Sequence, residues 1–63
     1  MDPLRIKRAK GHSLTVSKTE DRYTVQVSGG ENITAGELAQ IEAFIGEDPD
    51  GAVTLEKLRA RVG

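Results

Sequence analysis

Hydrophobic and polar positions alternate with a period of two over three short stretches near the start of the chain. Leu4 and Ile6 alternate with Arg5 and Lys7, Leu14 and Val16 with Ser13, Thr15 and Ser17, and Tyr23, Val25 and Val27 with Arg22, Thr24, Gln26 and Ser28. Such alternation marks half-buried strands. Lys10-Gly11 and the polar run Lys18-Thr19-Glu20-Asp21 separate them with turn-forming residues. The simplest topology is an antiparallel meander whose outward face carries Arg5, Lys7, Thr15, Thr24 and Gln26.

After Gly29-Gly30 the period changes to that of a helix. Thr34 and Glu37 stand at capping-box spacing, and Ile33 and Leu38 at the positions of a hydrophobic staple, so a helix starts at Ala35. Leu38, Ile41 and Ile45 form its apolar stripe with Phe44 at the edge, and Gly46 ends it in a left-handed conformation. Leu55, Leu58 and Val62 predict a second, short helix over 55–62, with Thr54 as cap and Val53 as staple to Leu58. An earlier start, with Asp48 as cap and Pro49 in the first turn, is disfavoured by Gly51. The expected fold class is α+β: a three-stranded antiparallel β-meander packed against one well-capped helix, plus a short C-terminal helix, in a single small domain over 1–63.

Sixteen large apolar side chains follow Met1, a small core for 63 residues without a single cysteine. Small scaffolds that lack disulfides or metal often gain stability by association, which favours a binding role. Disulfides and thiolate metal sites are excluded, and one histidine cannot complete a zinc site. No metal and no cofactor are expected. No apolar stretch approaches the roughly 20 residues of a membrane span. With no signal-like opening stretch, the expectation is a soluble protein of the cytoplasm with no membrane partner.

The net charge of −1 conceals segregation. From Pro3 to Thr19 lie Arg5, Lys7, Arg8, Lys10 and Lys18 with no acid. From Glu20 to Glu56 Arg22 is the single cation among nine acids, and Lys57, Arg59 and Arg61 close the chain. The first expectation is that the basic hairpin lies against the acidic helix within one molecule. The alternative is a basic end and an acidic end suited to head-to-tail association or to a phosphate-bearing partner.

Little catalytic chemistry stands out. Asp48 and Asp50 before Gly51 suggest a calcium loop, yet that register puts Gly46 and Lys57 where the first ligand and the bidentate glutamate belong. The two helices are too far apart for a helix-turn-helix. His12 is the only imidazole. The stretch Arg8-Ala9-Lys10-Gly11-His12-Ser13 resembles the Arg-x-x-Gly-Ser-His segment of HicA-type mRNA interferase toxins with its last two residues exchanged. Val25-Gln26-Val27 through Gly30, Ile33, Gly36, Leu38 and Ile41 is similar to that family's closing strand and helix, so the likeness spans residues 8 to 45. The resemblance implies RNA cleavage with His12 as the base.

Opposite the apolar stripe, the first helix carries Gly36, Ala39, Gln40 and Ala43, small and chargeless where a solvated face usually carries Lys and Glu. Either the second helix packs there, the first expectation, or another molecule does. The functional expectation is a small non-enzymatic interaction or accessory module acting through protein–protein association, with itself as a homo-oligomer or with another protein. Its contact residues are Gly36, Ala39, Gln40, Ala43 and the basic hairpin residues Arg5, Lys7, Arg8 and Lys10. The alternative is an RNA-cleaving or RNA-binding protein that uses the same hairpin with His12.

Overall fold

A computed structural model describes residues 2–63. Strands β1 (Leu4–Lys7), β2 (Ser13–Thr19) and β3 (Arg22–Val27) form an antiparallel sheet in the order β1-β2-β3. Helices α1 (Ala35–Ile45) and α2 (Ala52–Arg59) follow, giving the α+β arrangement that the pattern predicts. Register places Leu4 opposite Val16 and Val16 opposite Val25, with Ile6 opposite Leu14 and Leu14 opposite Val27. Alternation thus puts every large aliphatic of the three strands on one face, where the helices cover it.

The core gathers Ile6, Leu14, Val16 and Tyr23 from the sheet with Ile33, Ile41, Ile45, Leu55 and Leu58. Leu4, Val25, Val27, Leu38 and Phe44 are half-buried around it, and Phe44 meets the Tyr23 ring edge-on at 6.3 Å between centroids. Val53 and Val62, expected inside, are exposed. Their placement follows from α2, which begins at Ala52 and turns Leu55 and Leu58 inward one turn apart. Val53 then falls on the outer side, and Val62 lies beyond the helix.

The start of α2 corrects the sequence reading. Asp48 caps a 3₁₀ turn over Pro49–Gly51, its carboxylate accepting from the Asp50 amide at 3.0 Å, and the turn runs straight into α2. Gly51 is required for another reason: a β-carbon there would collide with Ile45 and crowd the Tyr23 ring. The glycine that argued against a helix start is what lets that start sit against the core.

The turns differ from expectation in two ways. Lys18 and Thr19 belong to β2, and only Glu20-Asp21 connects β2 to β3, with Glu20 at φ +58°. Lys18 faces Tyr23 across the strands, with its Nζ 5.4 Å from the centre of that ring. Gly46 ends α1 at φ +62° but ψ −134°, a combination open to glycine and outside the left-handed helical region. The chain then closes on itself through Ile33, which donates to Arg61 O at 3.0 Å and accepts from the Gly63 amide at 3.3 Å. No periodicity announces a one-residue parallel bridge.

Candidate functional site

The β1–β2 connection is a 3₁₀ turn over Ala9–Gly11, closed by the Arg8 amide donating to His12 O at 2.8 Å. Lys10 and Gly11 both take positive φ, +59° and +78°, which swings the Lys10 side chain into solvent. Arg8, at the base of the turn, points the other way. Its Nη1 donates to Ser28 O at 2.7 Å and Gly30 O at 3.0 Å, its Nη2 to Asn32 O at 2.8 Å, and its Nε meets Glu37 Oε2 at 3.0 Å. The guanidinium fork matches this set of fixed acceptors in a way an ammonium cannot.

Glu37 joins two devices. Its Oε1 accepts from the Thr34 amide at 2.8 Å while Thr34 Oγ1 accepts from the Glu37 amide at 3.0 Å, completing the capping box, and its other oxygen holds Arg8. The same carboxylate that starts α1 therefore anchors the β3–α1 loop to the sheet. Arg8, expected to face a partner, is 14 % exposed at its side chain and spent inside the molecule. In this respect the basic hairpin does lie against the acidic helix.

His12 sits just before β2, exposed, with Nδ1 2.8 Å from Ser28 Oγ. Its ring lies over Gly29, where a β-carbon would come within 2.8 Å of it, and Gly29 at φ +87° supplies both the space and the backbone angle. An open groove of about 550 Å³ runs past His12, Lys10 and Thr34. A serine beside an imidazole is two parts of a nucleophilic triad, but among the described residues no carboxylate orients the ring from its other nitrogen. Glu37, which also lines that groove, is committed to Arg8 and the cap.

The opposite end of the sheet holds a cluster that sequence reading missed. Lys18 Nζ lies 2.5 Å from Asp48 Oδ2 and 3.4 Å from Asp50 Oδ2, and the Tyr23 hydroxyl donates to the same Asp48 oxygen at 2.9 Å. Hydrogen bonds from Lys18, then from the Asp50 amide and the Tyr23 hydroxyl, hold the Asp48 carboxyl down at about 2. The Lys18 ammonium is pushed up mainly by its bond to Asp48, and the Tyr23 phenol by burial first and its own hydrogen bond to Asp48 second. Asp48 and Asp50 thus hold the α1–α2 connection to the sheet. Only the alternating residues around Asp48 hinted at this, and they hinted at a metal loop.

The remaining predicted contact residues are uncovered. Gly36, Ala39, Gln40 and Ala43 are all exposed, so α2 does not pack on the back of α1. The two helices meet elsewhere, and at their rim Arg59 reaches Glu42 at 3.0 Å. Arg5, Lys7 and Lys10 are exposed without an ion pair among the described residues. Arg22 joins Arg5 and Lys7 on the outer sheet face, because strand alternation and register put 5, 7, 13, 15, 17, 19, 22, 24 and 26 on one side. Those positions hold three cations, Ser, Thr and Gln, with no carboxylate and no aromatic.

No helix among the described residues is long and apolar enough to cross a membrane. Comparison with protein-family models, with curated proteins and with solved structures finds no match.

Proposed function

We propose that the chain is a small non-enzymatic interaction module of the cytoplasm whose outer sheet face docks on an acidic protein surface. The observation behind the reading is the acid-free face itself. Arg5, Lys7 and Arg22 stand on a three-stranded platform with hydroxyl and amide side chains between them, while the other sheet cation, Lys18, is tied to Asp48 and Asp50. A face of this kind offers charge for steering and short polar groups for hydrogen bonding. It offers no ring on which a base could stack, which weighs against single-stranded nucleic acid. Gly36, Ala39, Gln40 and Ala43 give α1 a second uncovered surface for the same kind of contact.

The RNA-directed alternative has one feature in its favour: His12 keeps Nδ1 on Ser28 and lies in solvent beside Lys10. Binding of a fluorescent poly-glutamate peptide and of a single-stranded RNA, each to the wild type, to Arg5→Glu/Lys7→Glu/Arg22→Glu and to His12→Ala, separates the two. The interaction reading expects salt-sensitive peptide binding that the triple variant loses and His12→Ala keeps. RNA cleavage by the wild type, lowered ~10² to 10⁴-fold in His12→Ala as removal of a general base requires, would replace it with the nuclease.

A further inference from the structure

The two free edges of the sheet are built differently. The Ser28 amide donates to Ser13 O at 3.0 Å across the β2–β3 pair, and in an antiparallel ladder such bonded pairs recur at every second residue. The backbone groups of Ser28, Gln26, Thr24 and Arg22 therefore face β2, and those of Val27, Val25 and Tyr23 face outward. Among the described residues no hydrogen bond uses the outward set. The β1 edge is four residues long, and its outward backbone groups belong to Arg5 and Lys7, whose charges blunt an edge. The β3 edge is six residues long with no proline, no lysine and a single charge, Arg22, at one end.

We infer that β3 pairs antiparallel with β3 of a second copy of this chain, about a two-fold axis at Val25, to make a continuous six-stranded sheet. The inference rests on the reading of the chain as an interaction module and supplies one partner for it.

The register follows from the side chains. With Val25 opposite its own copy, Tyr23 faces Val27 of the second copy on the inner side. On the outer side Thr24 faces Gln26 and Arg22 faces Ser28, so no like charges meet and no apolar side chain faces a polar one. The Val25, Tyr23 and Val27 amides and carbonyls then pair as bonded pairs of the ladder. Val25 and Val27, half-buried in one copy, gain apolar neighbours from the other.

The ends of the strand supply charge complementarity. Glu20 and Asp21 form the turn that precedes β3, while Gly29, Gly30 and the His12–Lys10 turn lie at its far end. Antiparallel pairing brings the acidic turn of each copy to the Gly29-Gly30 end of the other, where His12 lies against Gly29, Lys10 lines the same groove and Glu31 is the adjacent acid. The two-fold axis makes two equivalent contacts, each setting Glu20 and Asp21 of one copy towards Lys10 of the other. The outer faces join as well, so the basic platform doubles its width.

Solution mass by sedimentation of the full chain, from about 10 μM to about 1 mM at low and at high salt, tests this. The expected result is a rise from the 6.8 kDa monomer to twice that mass, weakened by salt. Val25→Pro removes both amides at the axis without touching the β2 ladder, and should weaken association at least about tenfold. Glu20→Lys/Asp21→Lys should weaken it too, and adding Lys10→Glu should restore part of the loss. The charge variants sit on exposed positions, so unchanged thermal melts show that folding is not what they alter. A wild type that stays monomeric at 1 mM would overturn the pairing, as would a dimer that both Val25→Pro and the charge changes leave intact. Retained peptide binding by the monomer would then leave the interaction reading standing, whereas loss of both would remove that as well.

Discussion

The two ends of the sheet solve the same problem with different chemistry. Each must tie an irregular connecting segment to the sheet, the β3–α1 loop at one end and the α1–α2 connection at the other. At the Arg8 end a guanidinium spans Ser28, Gly30, Asn32 and Glu37, so three of its four partners are backbone carbonyls. At the Lys18 end the partners are side chains that titrate, with one Asp48 oxygen shared by Lys18 and Tyr23. The first clamp fixes a loop, since carbonyls fix backbone; the second fixes a turn and depends on a carboxylate staying ionised. The Asp48 carboxyl, held down at about 2 by its three donors, sets the acid limit of the second clamp.

The contrast breaks most sharply at Arg8. Arg8→Ala frees three carbonyls of the exposed loop and leaves the Glu37 carboxylate, 11 % exposed, without its cation, and should cost about 3 kcal/mol. In a domain of this size that is enough to unfold much of the population, visible by circular dichroism at 25 °C. Arg8→Lys should recover little of the loss, because one ammonium cannot span all four acceptors. A fold as stable as wild type in both variants would show that the loop is held by packing alone.

At the other end, Gly51→Ala forces a β-carbon onto Ile45 and should lower stability by about 1 to 3 kcal/mol, read as a fall in melting temperature. Asp48→Asn sharpens the comparison through pH. Asp48 ionises at about 2 in the folded chain against an ordinary 3.8, so its contribution is complete above pH 4 and disappears as pH falls towards 2. The Lys18 and Tyr23 values are raised, so their contributions hold below pH 10 and fade as pH rises through the folded values. Melting temperature followed from pH 2 to 11 should decline at both ends. Asp48→Asn should melt lower at neutral pH and lose part of the acid decline.

The smallest effects lie on the surface. Glu20→Gly relieves a non-glycine residue at φ +58° and should stabilise by about 0.5 to 1 kcal/mol in denaturant titrations. Ala39→Glu, on the exposed back of α1, should change stability by no more than about 0.5 kcal/mol. A loss of 1 kcal/mol or more would mean that α2 or another copy covers that face after all.

What the sequence made legible was local. Alternation placed the strands, and the Thr34–Glu37 spacing located α1 to the residue, because both signals come from neighbours in the chain. The α2 start was misread because Gly51 was weighed by its helix propensity, while its position is decided by Ile45 and Tyr23, far off in sequence. The sequence offers Arg8 as a partner contact for a similar reason: its actual partners lie 20 to 29 residues away and three are carbonyls, which carry no residue signature. Arg22 lies within an acidic stretch of the sequence, yet it alternates with the apolar residues of β3 as Thr24 and Gln26 do, and the register sets it on the same face as Arg5 and Lys7.

That two copies of the chain pair through β3 is tested most directly at the two sheet edges, by amide hydrogen exchange on the wild type at about 10 μM and about 1 mM. The Val25 and Val27 amides are expected to exchange freely when dilute and become protected when concentrated, while the Arg5 and Lys7 amides on the β1 edge exchange freely at both. Protection of β3 that does not change with concentration, or protection appearing on β1 instead, would contradict the pairing.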